Sequence, residues 1–124
     1  MEQVALIVDD DQHTLLLLNE VLKTSGLRTI QAEDGAQALK ILETTTPLLL
    51  LLDMLMPRIS GKEVLEYVRL TPRLDNVFVT IVSAHRYFED SNQVSRANLY
   101  IVKPIRPRDI QSALQQALAH NSSS

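Results

Sequence analysis

Five consecutive leucines, at positions 48–52, stand between Thr44-Thr45-Thr46-Pro47 and Asp53. A membrane-spanning helix needs roughly 20 apolar residues, so this run is far too short to be one. It is apolar at every position, so neither a helical nor a strand period leaves it a wet face. A breaker before it and a carboxylate after it bound a strand buried on both faces, the kind found in helix-covered parallel sheets. Leucine is not the best strand former, so context carries this reading more than propensity does.

Other apolar runs follow the same rule. Val4–Val8 (VALIV) runs into Asp9, residues 77–82 (VFVTIV) into Ser83, and residues 99–102 into Lys103. Residues 28–31 form the weakest candidate strand, after Gly26. Helix-length segments lie between. Leu15, Leu18 and Leu22 fall on one helical face that ends at a glycine stop. Asp34 with Gln37, and Ser60 with Glu63, read as capping boxes. Pro107 opens a last helix carrying Ile110, Ala113, Leu114, Ala117 and Leu118. A fourth helix must lie within 85–96, where Phe88 and Val94 are among few apolar residues, so it is expected to be short or irregular. The β-α alternation, repeated five times, predicts an α/β fold. It is a five-stranded parallel sheet in flavodoxin-like order 2-1-3-4-5, with helices on both faces. The expected domain covers residues 1–120, and residues 121–124 form a flexible tail.

A length of 124 residues suits one domain, and 45% hydrophobic residues suit a packed core. With 21 leucines and only 4% aromatic residues, that core is aliphatic. The absence of cysteine removes disulfides, thiolate metal sites and cysteine nucleophiles. A net charge of -3 gives no basic footprint for nucleic acid. No segment addresses a membrane and the start lacks a signal peptide's positive residues, so a cytoplasmic address is expected.

In open α/β sheets, ligands bind beyond the carboxyl ends of the strands, near the switch in strand order. Those ends here carry Asp9, Asp10 and Asp11, then Asp53, Ser83 and Lys103. Clustered carboxylates need a counter-charge, and Mg²⁺ prefers such oxygen ligands. Carboxylates, Mg²⁺, a lysine and a hydroxyl together suit a phosphoryl group, either bound or carried on Asp53 as an acyl phosphate. The three glycines, Gly26, Gly35 and Gly61, make no P-loop and no dinucleotide fingerprint, which favours the covalent reading.

The elements VDDD, DMLMPRISGKE, VSA and YIVKP occur in order across the chain, and with them it resembles a response-regulator receiver domain. The resemblance implies a two-component signalling switch rather than a metabolic enzyme. Asp53 would be the phospho-acceptor, and Asp9, Asp10, Asp53 and the Leu55 backbone carbonyl would hold Mg²⁺, with Mn²⁺ as a substitute ion. Ser83 matches the switch hydroxyl, Lys103 the lysine paired with the phosphoryl group, and Tyr100 the aromatic switch residue. Lys103-Pro104 is often cis in this family. The implied donor is a histidine kinase or a histidine phosphotransfer protein. The implied recipient is a downstream effector protein or an output domain that 124 residues do not accommodate.

In receivers the positions two after the acceptor and two after the switch hydroxyl flank the path of attacking water, so the resemblance implies that Leu55 and His85 tune acyl-phosphate loss. Otherwise His13, His85 and His120 read as surface histidines, and Asp11 as a plain helix cap. The segment between Ser83 and Tyr100 is shorter than in typical receivers, and Arg96-Ala97 replaces the usual Gly-Ala. Two rival readings exist. A Mg²⁺-dependent aspartyl phosphatase wants a second carboxylate two residues after the nucleophile, where Leu55 stands. A pseudo-receiver, an unphosphorylated interaction module, would not need the complete acceptor, acid, hydroxyl and lysine set.

Overall fold

The computed structural model describes residues 3–84 and 96–122. In chain order these form β1 (Val4–Val8), α1 (Gln12–Lys23), β2 (Arg28–Ala32), α2 (Gly35–Leu42), β3 (Leu49–Asp53), α3 (Gly61–Leu70), β4 (Phe78–Ser83), β5 (Leu99–Val102) and α4 (Pro107–Ser122). A single 3-10 turn, Pro72–Leu74, follows α3. All five strands are parallel, in the order β2-β1-β3-β4-β5. The expected architecture is therefore the observed one. The short or irregular helix expected within 85–96 lies almost wholly outside the described residues, as does His85.

The leucine strand shows why the pattern had no wet face. Side chains alternate across a strand. Leu50 and Leu52 enter a core with Leu6, Val8, Val79 and Ile81, closed by Ala38 and Leu42 of α2 and Val64, Leu65 and Val68 of α3. Leu49 and Leu51 enter the opposite core with Ala5, Ile7, Phe78 and Val82, under Leu15, Leu18 and Leu22 of α1 and Ile110, Ala113 and Ala117 of α4. One run of a single residue type thus supplies the centre of two cores.

Several element ends differ from the sequence reading. β2 continues to Ala32. β4 starts at Phe78 and includes Ser83, because the N–H of Val77 is taken by Leu74 O (3.1 Å) in the preceding turn. Asp34 caps α2 as expected, its Oδ1 accepting from Gln37 N–H at 2.8 Å, but Gln37 Oε1 reaches back to Glu33 N–H (3.0 Å). Ser60 occupies the cap position of α3 without a side-chain capping bond. The start of α3 is held by main chain instead: Gly61 N–H donates to Met54 O at 3.3 Å. α4 runs through Ser122, taking in the first two residues of the expected tail, with Asn121 Nδ2 donating to Ala117 O at 3.0 Å. His120 is correspondingly part of that helix, its ring edge-on to Phe78 with centroids 5.7 Å apart. Among the described residues no helix is long and apolar enough to cross a membrane.

Candidate functional site

The parallel arrangement sends the carboxyl ends of all five strands to one rim. β1 and β3 are neighbours there, and α1 leaves β1 toward one sheet face while α3 leaves β3 toward the other. The crevice between such divergent connections is where an α/β sheet receives ligands.

Three carboxylates meet in it. Asp9 is buried at the end of β1, Asp10 next to it is exposed, and Asp53 closes β3 with only 6% of its surface exposed. Ligand oxygens of all three lie within 4.8 Å of one another. Each buried acid is tied down. Asp9 Oδ1 accepts from Asp11 N–H at 2.9 Å, and Asp9 Oδ2 accepts from Lys103 Nζ at 2.9 Å. Asp53 Oδ1 accepts from Leu55 N–H at 3.3 Å. Asp11 faces away as the cap of α1, taking His13 N–H (3.1 Å) and Thr14 Oγ1 (2.9 Å).

Lys103 comes from the turn after β5. Its backbone N–H donates to Ser83 O at 2.8 Å, which joins the ends of β4 and β5. The Lys103–Pro104 peptide bond is cis. Ser83 is buried at the last position of β4, one register step beyond the pair Asp53↔Val82. Tyr100 is half-buried on β5 and packs against the core shared by α2 and α3. The Leu55 side chain is 46% exposed, two residues after Asp53. His13 is exposed on α1 and, with Thr14, Leu17, Lys103, Pro104 and Ile105, lines a shallow cavity of about 230 Å³ next to the acids.

The electrostatics follow from burial. Desolvation, then the negative charge of Asp9, pushes the Asp53 carboxyl up to about 6, against the opposing pull of Lys103 and the Leu55 N–H. Burial alone would lower the Lys103 pKa. The Asp9 hydrogen bond, with the charges of Asp53, Asp9 and Asp11, outweighs it and holds the ammonium above its usual value. The site therefore combines a buried carboxylate of raised pKa, two further acids and a fixed cation. Acidic oxygens in this number are suited to a hard divalent ion such as Mg²⁺.

Residues 9, 10, 53, 83 and 103, expected from sequence to meet, are all placed at this rim. Gly61 was legible as part of DMLMPRISGKE but its role was not. A Cβ there would lie 2.2 Å from Asp53 O and 2.7 Å from Met54 Cα. Only glycine lets the start of α3 pack this closely on the backbone at the end of β3.

A family model described as "Response regulator receiver domain" matches residues 5–115. Sporulation initiation phosphotransferase F of Bacillus subtilis is 34% identical over 95% of this chain and 95% of its own length. The polar-differentiation response regulator DivK of Brucella anthropi is 30% identical over 90% of this chain and 94% of its own. The alkaline phosphatase synthesis transcriptional regulatory protein PhoP of Bacillus subtilis is 30% identical, and this chain spans about half (49%) of its length. Among solved structures, a CheY-like receiver domain protein from Methanospirillum hungatei superimposes with a TM-score of 0.87 at 26% identity, covering 100% of both chains. The response regulator TrrA of Thermotoga maritima, in complex with Mg(2+)-BeF, gives 0.84 at 27% identity, covering 93% of this chain and 98% of that one. Such domains receive signals from kinases and act on effectors. With a family match over residues 5–115 laid over an acidic rim of this geometry, the chain belongs to the response regulator receiver domains, signalling modules of two-component systems.

Proposed function

We propose that this receiver is a phosphorylation-activated switch in which Asp53 accepts a phosphoryl group from a histidine kinase or a histidine phosphotransfer protein. The observation that carries the reading is the buried Asp53 carboxylate, within 4.8 Å of two further carboxylates, one of them bonded to Lys103 at 2.9 Å. Asp9, Asp10, Asp53 and the Leu55 carbonyl would hold Mg²⁺, or Mn²⁺ in its place. When bound, the ion supplies positive charge to the phosphoryl oxygens. The Mg(2+)-BeF complex of the TrrA neighbour supports that choice of ion.

The chain's own residues divide the work. A carboxylate oxygen of Asp53 forms the new O–P bond while the donor's P–N bond breaks and its electron pair returns to the imidazole. Ionised Asp53 is required, and Lys103 favours that form. After transfer Lys103 exchanges Asp9 for a phosphoryl oxygen, and the Ser83 hydroxyl donates to another. Tyr100 then repacks on its half-buried face, which shifts the population of the surface that an effector protein, or an output domain of a longer chain, would read. Leu55 and His85 set how fast water removes the group. Direct nucleic-acid or membrane contact has no part in this reading, and the setting is cytoplasmic. The chemistry is limited to self-phosphorylation and slow autodephosphorylation, not turnover of a metabolite.

Incubation with acetyl phosphate and Mg²⁺, followed by intact-mass measurement, tests this. One phosphoryl adduct is expected, and none in Asp53→Asn. No adduct on the wild type would instead make it an interaction module of the pseudo-receiver kind. Continuous hydrolysis of a small phosphate ester would point to an aspartyl phosphatase. Slower loss of the adduct from wild type than from Leu55→Asn, and a changed lifetime in His85→Ala, are expected. Equal lifetimes would remove both residues from that role.

A further inference from the structure

We propose that Gly35, at the start of α2 and outside the acidic rim, is a positioning residue for the loop that carries the acceptor. The inference rests on the reading of Asp53 given above. A Cβ at Gly35 would lie 2.4 Å from the carbonyl oxygen of Ile59, 2.6 Å from its Cγ2 and 2.8 Å from its Cβ. Real Cβ atoms do not approach so closely, so one side must move. The α2 side is the firmer one. Asp34 Oδ1 takes Gln37 N–H at 2.8 Å, Gln37 Oε1 takes Glu33 N–H at 3.0 Å, and Ala38 N–H donates to Asp34 O at 3.1 Å. The loop side is held by longer bonds, Leu55 N–H to Asp53 Oδ1 and Gly61 N–H to Met54 O, both 3.3 Å.

The loop also carries a sign of outside constraint. Arg58 adopts φ 65°, the left-handed region that a non-glycine residue keeps only where its surroundings over-determine the turn. Its guanidinium stands 3.9 Å from Asp34 Oδ2, on the same α2 terminus. Ile59 is two residues from Gly61, whose own close approach to Asp53 and Met54 forms the neck of the loop. A push at Ile59 is therefore delivered to the backbone of residues 53–55, which orients the Asp53 carboxylate through the Leu55 N–H. Gly35 touches no ligand, yet its missing Cβ lets the α2 terminus serve as the stop against which the loop is set.

The test uses the full chain as Gly35→Ala and, separately, Ile59→Ala, which loosens the contact rather than crowding it. Amide spectra of the metal-free proteins and Mg²⁺ titration by calorimetry are compared with wild type. In Gly35→Ala the Leu55 and Gly61 amides are expected to shift before any metal is added. Its Mg²⁺ affinity is expected to fall on the order of tenfold, the effect typical of losing outer support for a metal ligand. Ile59→Ala should move the same amides and weaken Mg²⁺ less. Folded variants with unmoved Leu55 and Gly61 amides and wild-type Mg²⁺ affinity would overturn the proposal. If Gly35→Ala does not fold, Ile59→Ala decides by the same two readouts. If wild type itself binds no Mg²⁺, the reading of the site fails, and the amide shifts alone judge Gly35.

Discussion

At Asp53, burial and the charge of Asp9 oppose ionisation more strongly than Lys103 favours it, pushing the pKa up to about 6, well above the usual carboxylate range. The folded metal-free protein therefore holds its proton over a window where the unfolded chain has lost it. Stability contributed by that proton is full below the unfolded value and is lost as pH rises through the folded one. The difference corresponds to about 3 kcal/mol at most. Asp53→Asn is therefore expected to raise the Tm of the metal-free protein near neutral pH. The gain should vanish at about pH 3, below the window. Thermal unfolding at the two pH values checks this, and an equal gain at both would contradict it. A second residue-scale prediction concerns Thr80, fully buried in β4, whose Oγ1 has no hydrogen-bond partner among the described residues. Thr80→Val keeps the shape and removes a desolvated hydroxyl, so it should stabilise by about 1 kcal/mol in urea unfolding. These two properties differ in legibility. Asp53 is visible in sequence as the end of an apolar run, but its shifted pKa depends on Asp9 and Lys103 arriving from remote parts of the chain.

Among the elements, β3 was the most legible and α2 the least explained by its own residues. Five leucines and a terminal aspartate define β3, since a strand buried on both faces has no polar position until it emerges at the rim. α2 has only eight residues, too few to be stable by propensity alone. Its C-terminal end is held from a distance by Arg73, in the turn after α3. The guanidinium donates to the carbonyls of Leu42, Glu43 (3.4 Å) and Thr45 (3.4 Å) and to Thr46 Oγ1 (3.0 Å). A cation at a helix C-terminus also meets the favourable end of its dipole. Arg73→Ala should cost about 1–2 kcal/mol in urea midpoint with an unchanged m-value. Arg73→Lys should recover only part, because one ammonium cannot reproduce the planar fork. An unaffected midpoint in Arg73→Ala would show that the clamp contributes nothing. Neither the arginine's partner helix nor the main-chain docking that replaces the expected Ser60 capping box could be read from local spacing, because both join segments distant in sequence.

For the whole molecule, the sheet order decides which residues meet at the rim. Residues 9 and 53 are 44 positions apart, yet β1 and β3 are neighbours, with Val8 paired to Leu52 one step before the acids. A bound divalent ion would link those strand ends to each other and would bind only the folded state, so Mg²⁺ should raise Tm in proportion to the logarithm of its concentration. The rise should be smaller below about pH 6, where a proton competes for Asp53, and smaller in Asp53→Asn. A pH-independent rise of equal size in the variant would place the ion elsewhere.

The sequence by itself determined the α/β class, the parallel sheet and the identities of the rim residues. Hydrophobic runs that end in polar side chains encode where each strand must stop being buried, and that is a local property. Only the tertiary structure decided the distances between Asp9, Asp10, Asp53 and Lys103, the raised pKa of Asp53, and the close approach of Gly35 to Ile59 and of Gly61 to Asp53 and Met54. Those are long-range quantities. Coulomb interaction and steric exclusion act over a few ångströms of space, and chain spacing alone does not fix which residues come that close.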